Sequence, residues 1–294
     1  MIRVPNVAEQ EETGYSIGRA LVLGPGGPAG TAWMAGLAHG LRHKGVDLSE
    51  ADTIVGTSAG AIVAAALGAE DGLGRLASPL TGARPRSAGP DPGRTGEVFA
   101  VLGTPGLTPD EVRRRVGRIA LETADPRAQQ ALLAVRRELI GTEVWPERHL
   151  LITAVDVASG RPVVWDRDSG VPLVHAVAAS SAFPGTASPI EVGDRHYMDG
   201  ALREGTNADL ARGAQRVLVV EPLAHQHPRE PHQQALFALG TQSVLTVAPD
   251  ETSVRAFGTD PSDLAAWAPA FQAGFAQAAD EHERLAAWIH PRAE

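Results

Sequence analysis

The sequence predicts an α/β fold in which a mostly parallel central sheet is sandwiched between helices. Short apolar segments such as RALVL, DTIVG and RVLVV have the length and the bulky side chains of buried strands. Helical patterns separate these segments along the chain. Because parallel strands need long crossover connections and are covered on both faces, the alternation predicts three layers, with helices on each side of the sheet.

Composition restricts the class of function. The 294 residues are 43% hydrophobic and 21% charged, which indicates a globular protein with a sizeable core. A formal net charge of -9 gives nucleic acid no basic surface to bind. The acidic chain is not drawn to anionic membranes either, but transient contact with an uncharged lipid surface stays open. Without cysteine there is no disulfide and no thiolate chemistry.

We predict a single α/β domain over residues 19–294, behind a flexible N-terminal segment at 1–18. That segment is polar and lacks the apolar region of a signal peptide. The sequence also lacks the run of about 18 apolar residues that a membrane-spanning helix needs. These features, with the absence of cysteine, predict a cytoplasmic protein. An irregular and helical, lid-like insertion is expected at about 71–145, and a strand–helix extension at about 223–294.

The first half of the chain contains two units of strand, turn and helix. A helix at about 28–44 follows RALVL, and Pro28 suits its first turn. The stretch SAGAIVAAALGAE follows DTIVG and is a helix small and apolar enough to be buried. From 71 to 107 the sequence is rich in Gly, Pro, Ser and Arg and has no periodicity, which predicts irregular structure. Helices restart after Thr108, a suitable N-cap, and at about 127–139.

The second half supplies the remaining strands. HLLITAVDV and RPVVWD are predicted to pair around a turn at Ser159 and Gly160, and LVHAVAASSAF is predicted to be a helix. HYMDG ends a short strand, and RVLVVEP and QSVLTVAP are further strands. The alanine-rich tail from 261 to 289 is expected to be helical.

Gly56-Thr57-Ser58-Ala59-Gly60 matches the pattern G-x-S-x-G between a predicted strand and a predicted helix. A nucleophile on so sharp a turn has a strained backbone, and the residues two positions away must be tiny for the turn to close. The dipole of the following helix favours negative charge at the serine. Ser58 is therefore a candidate nucleophile. The alternative is that these small residues only let a helix pack closely on a strand.

The glycine-rich turn GPGGPA, at 24–29, has two interpretations. Like the dinucleotide-binding fingerprint, it follows a strand and opens a helix, but Asp47 and Glu50 precede the next strand instead of ending it. Alternatively, its N–H groups form an oxyanion hole for a tetrahedral intermediate. Because proline has no N–H, the donors at the centre of the turn would be Gly26 and Gly27.

A serine nucleophile needs a group that accepts its proton. None of the 10 histidines follows a strand at a tight turn, and His225, His227 and His232 fall in the polar stretch AHQHPREPHQQ. Asp199, in RHYMDGAL, instead follows an apolar strand and precedes Gly200. Such a position lies where an α/β sheet binds its ligands, which makes Asp199 a candidate base. An ordinary Asp-Gly turn is the alternative.

Four segments together resemble the patatin-like phospholipase family: the glycine turn with its helix, the serine turn, ASSAFPG and YMDGALREGTNADLA. They occur in the family's order and cover roughly residues 19–222. The resemblance implies an α/β/α fold and a Ser–Asp dyad that cleaves lipid acyl esters without histidine. It makes Ser58 the nucleophile and Asp199 the base, with Gly26 and Gly27 as the oxyanion hole.

The supporting motif positions implied by this resemblance are glycines: Gly30, Gly56, Gly60 and Gly200. The glycine turn departs from the family pattern G-G-G-x-R/K-G at two positions. Pro25 replaces the first glycine, and Ala29 replaces the basic residue. The missing cation bears on the preference for phospholipid more than on ester chemistry.

The expected function is a serine esterase or lipid acyl hydrolase with an acyl-enzyme intermediate, and its expected partner is a lipid or other acyl ester. No cofactor or metal is implied, since Asp156, Asp166 and Asp168 are close only as residues of a predicted hairpin. Two alternatives stay open: an inactive or weak lipid-binding regulator on the same scaffold, and a dinucleotide-binding oxidoreductase that uses the turn at 24–29. The sequence is compatible with a homo-oligomer and does not separate hydrolysis from acyl transfer.

Overall fold

Eight strands form a mixed sheet in the computed structural model, which describes residues 18–78, 92–226, 241, 243–260 and 263–290. In chain order the strands are β1 (Arg19–Leu23), β2 (Thr53–Gly56), β3 (His149–Asp156), β4 (Pro162–Trp165), β5 (Ile190–Val192), β6 (Arg195–Asp199), β7 (Arg216–Val220) and β8 (Ser243–Val247). Across the sheet the order is β5-β6-β3-β2-β1-β7-β8, and β4 pairs with β3.

The prediction of a mostly parallel sheet is confirmed. Strands β3, β2, β1, β7 and β8 are parallel neighbours. Strands β4 and β6 run antiparallel to β3, and β5 runs antiparallel to β6. The predicted pairing of HLLITAVDV with RPVVWD is the β3–β4 hairpin. The three-residue strand β5 was not predicted, because so short a segment has too few positions for an alternating pattern.

Ten α-helices are present in the described part of the chain, beside short 3-10 helices. They are α1 (Gly27–His43), α2 (Ala59–Leu67), α3 (Gly72–Arg75), α4 (Pro92–Leu102), α5 (Pro109–Glu122), α6 (Pro126–Ile140), α7 (Leu173–Ser180), α8 (Ala201–Glu204), α9 (Glu251–Phe257) and α10 (Trp267–Ile289). The predicted helices after RALVL, DTIVG and Thr108 are all present, as is the C-terminal helix.

Hydrophobic cores lie on both faces of the sheet, as the three-layer prediction requires. Strand β1 shows the alternation: Leu21 and Leu23 belong to the core beneath helices α1, α2, α7 and α10, and Ala20 and Val22 belong to the core on the opposite face. That opposite face is covered by a short 3-10 helix, Ala208–Ala211, and by the α4–α5 helical hairpin. Trp33 of α1 donates a buried hydrogen bond to Gln277 of α10 at 2.9 Å, which joins the C-terminal helix to the core.

The expectation of irregular structure at 71–107 is wrong for 72–75 and 92–102, which are helical. Helix α4 forms because Val98 and Val101 give it an apolar side, which packs against Val116 of α5 and Met198 of β6. Its glycines obscured this pattern in the sequence. Residues 79–91 lie outside the described residues, as does the predicted flexible segment at 1–18 apart from Gly18.

Candidate active site

Ser58 occupies a strained turn between β2 and α2. Its φ of 54° and ψ of -115° lie where a residue other than glycine is uncommon and costs free energy. The turn closes only because its neighbours are small. A Cβ on Gly56 would lie 2.8 Å from the Cα of Ala61, and a Cβ on Gly60 would overlap the carbonyl oxygen of Leu23 in β1. The sequence therefore holds the Ser58 hydroxyl out from the carboxyl end of β2.

Asp199 lies at the end of β6 and contacts Ser58. The Ser58 Oγ donates a hydrogen bond of 2.8 Å to Asp199 Oδ2, and the Ala201 N–H donates one of 2.8 Å to Oδ1. Asp199 is only 2% exposed, and this burial raises its pKa from the ordinary value of 3.8 to about 7. The two hydrogen bonds and the charge of Arg136 act in the opposite direction. Such a carboxylate is a stronger base than a solvated one.

The end of α7 and the residues that follow it hold both Ser58 and Asp199 in place. Ser180 Oγ accepts a hydrogen bond of 3.0 Å from the Ser58 N–H, and the carbonyl of Ser180 accepts one from Gly200 at 3.2 Å. The carbonyl of Ala182 accepts one from the Asp199 N–H at 3.0 Å. Ser180 lies in ASSAFPG but was not predicted as a site residue, because a serine at the end of an alanine-rich helix carries no signal of its own.

A buried hydrogen-bond network around Asn207 supports the backbone next to Ser58 and Asp199. Asn207 is fully buried in a left-handed conformation with a φ of 58°. Its side-chain amide lies 2.9 Å from Thr57 Oγ1, 3.1 Å from the Gly200 carbonyl and 3.2 Å from Thr153 Oγ1. Residues 57 and 200 flank the two side chains that meet, so Asn207 fixes their separation. Asn207 was not predicted as a site residue, although it lies in the segment YMDGALREGTNADLA.

The glycine turn lies beside the serine turn. Leu23 and Gly56 are register partners at the ends of β1 and β2, and the Gly60 N–H donates a 3.1 Å hydrogen bond to the carbonyl of Gly24. Helix α1 begins at Gly27, with Gly26 as its N-cap. The first N–H groups of a helix have no acceptor within the helix, and its dipole favours an anion there. The first N–H groups of α1 therefore lie at the same end of the sheet as Ser58.

Close packing explains why positions 30 and 200 are glycine. Gly30 and Gly26 face Pro222, which follows β7, and a Cβ on Gly30 would lie 2.8 Å from the Cβ of Pro222. A Cβ on Gly200 would overlap Thr153 of β3. All eight residues named as site or motif positions therefore lie at one edge of the sheet, around the ends of β1, β2 and β6.

Histidine does not enter this arrangement. Among the residues that the structure describes, the hydrogen-bond partners of the Ser58 and Asp199 side chains include no histidine. His39 and His43 contact each other in the last turns of α1, with their Nε2 atoms 2.8 Å apart. His225 is exposed, and residues 227 and 232 lie outside the described residues.

The acidic residues considered for other roles lie elsewhere. Asp47 caps the 3-10 helix Leu48–Glu50 before β2, at the opposite end of that strand from the glycine turn, so the geometry does not favour dinucleotide binding. Burial acts to raise the pKa of Asp156, but hydrogen bonds from Ser159 and Arg195 hold it below its ordinary value. Within the described residues, no three His, Asp or Glu side chains cluster as metal ligands.

Comparison with known proteins places the chain in a family. The sequence model of the patatin-like phospholipase family matches residues 21–212 of the 294. The chain belongs to the patatin-like phospholipase family. Uncharacterized NTE family proteins of Mycobacterium bovis and Mycobacterium tuberculosis are 30% identical to it over 201 residues. That alignment covers 65% of this chain and 47% of each relative, so the chain spans about half their length.

Among solved structures, the type III effector protein ExoU matches with a TM-score of 0.37 and 20% identity, over 90% of this chain and 54% of that one. A TM-score of this size carries no weight for function. No helix in the described ranges has the length and apolar character needed to cross a bilayer.

This patatin-like chain departs from the family's glycine pattern in a way that its fold explains. Ala29 stands at the position that is usually basic, and it is fully buried in the core beneath α1. An uncompensated cation there would be costly. Pro25 removes one N–H from the turn and leaves those of Gly26 and Gly27. The change at 29 is therefore accommodated by the core, and the turn keeps the N–H groups of Gly26 and Gly27.

Proposed function

We propose that this chain hydrolyses carboxylic esters of lipids, with Ser58 as nucleophile and Asp199 as general base. The observation that carries the proposal is the 2.8 Å hydrogen bond from Ser58 Oγ to a carboxylate that is 2% exposed. A strained turn that exposes the serine and an adjacent base with a raised pKa are both features that activate a serine nucleophile. Membership of the patatin-like phospholipase family supports lipid acyl hydrolase activity in general.

In the acylation step, Ser58 Oγ attacks the ester carbonyl carbon while its proton passes to Asp199 Oδ2. The carbonyl oxygen becomes an oxyanion, which accepts hydrogen bonds from the Gly26 and Gly27 N–H groups at the start of α1. Collapse of the tetrahedral intermediate breaks the bond to the alcohol. The leaving oxygen takes the proton from Asp199, and the acyl group stays on Ser58.

In the deacylation step, water replaces the alcohol. Asp199 accepts a proton from water as the water oxygen attacks the acyl carbon, and returns it to Ser58 Oγ when the acid leaves. The 2.8 Å bond from the Ala201 N–H to Oδ1 fixes the carboxylate, so that Oδ2 keeps facing the reacting atoms. If another alcohol replaced water, the same groups would transfer the acyl chain to it.

Covalent labelling by a fluorophosphonate tests this function. A fluorophosphonate phosphonylates an activated serine and releases fluoride, and we expect one adduct per chain by intact mass. Ser58→Ala should remove the adduct entirely, and Ser181→Ala should retain it, because Ser181 Oγ bonds to Arg136 and the Val177 carbonyl instead of Asp199. Absence of an adduct on the unmodified protein would contradict the proposal and favour a non-catalytic lipid-binding protein.

Several features stay predictions beside this function. They are the domain limits, a cytoplasmic location, transient contact with a membrane surface and homo-oligomer formation.

A further inference from the structure

An apolar wall joins β6, the strand that ends in Asp199, to the α4–α5 hairpin. Met198 precedes Asp199 in β6 and is fully buried against Val98 of α4 and Val116 of α5. Phe183 and Leu202 are half-buried and pack on the same cluster. The wall is therefore continuous with the strand that carries Asp199.

Two phenylalanine rings extend this wall to the surface. Phe183 directly follows Ala182, whose carbonyl accepts the Asp199 N–H, so its backbone is tied to the site. The ring of Phe99 in α4 lies 5.8 Å from the ring of Phe183. Phe99 is nevertheless 60% exposed, and Leu102, one turn later, is 39% exposed. An aromatic side chain so exposed, and in contact with the ring that directly follows Ala182, is available to contact a ligand.

The position of Phe99 is fixed by the contact of the α4 backbone with Gly185. Gly185, two residues after Phe183, has a φ of +86°, and a Cβ there would lie 2.7 Å from the backbone nitrogen of Thr95. The first turns of α4 therefore rest directly on the segment that holds Ser58 and Asp199. Phe99 lies one turn along α4 from this contact.

We propose that Phe99 and Phe183 form the surface on which the acyl chain of the substrate lies, so that Phe99 sets the preference for acyl-chain length. This inference rests on the proposed function and names its substrate as an ester with an acyl chain longer than acetyl. An acetyl group ends beside Ser58, whereas a longer chain has methylene groups that leave water when they cover the two rings. Each methylene group fully removed from water favours binding by about fourfold.

The test compares three soluble nitrophenyl esters, the acetate, the butyrate and the octanoate, each below the concentration at which it aggregates. For the unmodified protein, kcat/KM should rise from acetate to octanoate. Phe99→Ala should lower the octanoate-to-butyrate ratio of kcat/KM by about 5- to 10-fold and leave the acetate value unchanged. Phe99→Leu, which keeps an apolar side chain, should restore much of that ratio.

Phe275→Ala is the matched control. Phe275 is also a partly exposed phenylalanine, but it contacts His39 and His43 in the last turns of α1, about 20 Å from the glycine turn where α1 begins. Its removal should leave the ratio unchanged. An unchanged ratio in Phe99→Ala, or an equal fall in both variants, would overturn the inference. A fall in the ratio that is seen only when the octanoate is raised above its aggregation concentration would also overturn the inference. It would indicate that Phe99 acts at the lipid–water interface instead.

A binding measurement separates this inference from the proposed function. In the Ser58→Ala variant, which is not expected to turn over, the fluorescent fatty acid 11-(dansylamino)undecanoic acid should bind, and adding Phe99→Ala should weaken its binding by at least about fivefold. This result is decisive even if the unmodified protein hydrolyses none of the esters, which would contradict only the catalytic proposal. Equal affinity with and without Phe99 would reject the acyl-chain surface alone.

Discussion

Asp199→Asn is expected to lower kcat/KM for nitrophenyl butyrate by about a thousandfold or more. Asparagine has nearly the same shape and can keep the hydrogen bond from the Ala201 N–H, but it cannot take the Ser58 proton. General-base catalysis contributes about 10²–10⁴-fold to a rate, and the Ser58 hydroxyl has no other base among its described partners. Steady-state hydrolysis by the purified variant measures this effect.

Asp156→Asn is the matched control for this prediction. Asp156 is also 2% exposed and lies on β3 beside Tyr197 of β6, but it bonds to Ser159 and Arg195. Its replacement should change stability and leave kcat/KM within about threefold, because it touches neither Ser58 nor Asp199. The general-base role is wrong if Asp199→Asn keeps a tenth or more of the activity.

The Asp199→Asn variant should also gain stability relative to the unmodified protein as pH rises. Because the pKa of Asp199 is about 7 when folded and near 3.8 when unfolded, the folded state binds more protons between these values. The unfolding free energy of the unmodified protein therefore falls as pH rises through this window, because Asp199 must ionise in its buried position. From pH 5 to pH 8 the difference in unfolding free energy should move in favour of the variant by about 2–3 kcal/mol. Urea unfolding at the two pH values shows whether the variant is folded. It also tests whether the buried carboxylate of Asp199 destabilises the protein when it is ionised.

Gly60→Ala should have the largest effect on stability, at about 3 kcal/mol or more. The added Cβ would overlap the carbonyl oxygen and carbon of Leu23, which are backbone atoms of the central strand β1. Leu23 cannot easily move, because its carbonyl accepts the Thr57 N–H at 3.0 Å. The serine turn would have to open, and the Ser58–Asp199 contact with it. We expect poor soluble yield or a much lower urea midpoint, together with loss of fluorophosphonate labelling.

The same glycine-to-alanine change at Gly96 is expected to raise stability instead of lowering it. Gly96 lies inside α4, is exposed, and has nothing within 4 Å of its added Cβ. Alanine should therefore stabilise the protein by about 0.5–1 kcal/mol through its helix propensity. Equal urea midpoints for Gly60→Ala and Gly96→Ala would contradict the tight packing of Gly60 against Leu23.

The parts of the fold that the sequence predicted are those with a local cause. Strand β1 and helix α1 followed from an apolar run, a glycine turn and a proline in the first helical turn. Ser58 was recognisable because closing its turn demands glycine two residues away on each side, and Asp199 because it ends a strand before a glycine.

The parts that the sequence did not predict depend on contacts between distant segments. Ser180 and Asn207 are ordinary polar residues. Their importance arises only when β2, β6, the end of α7 and the segment after α8 meet. Helix α4 was missed because its apolar side becomes decisive only against α5 and Met198. The buried state of Asp199 likewise follows from packing and not from its own neighbours in sequence.

The pH dependence of kcat/KM for a soluble nitrophenyl ester tests most directly whether buried Asp199 is the base for Ser58. Activity should rise about tenfold per pH unit below pH 7 and level off above it, as a single group with a pKa of about 7 ionises. In Asp199→Asn the residual activity should lack this inflection. A flat profile from pH 5 to 8 in the unmodified protein, or the same inflection in the variant, would contradict the account.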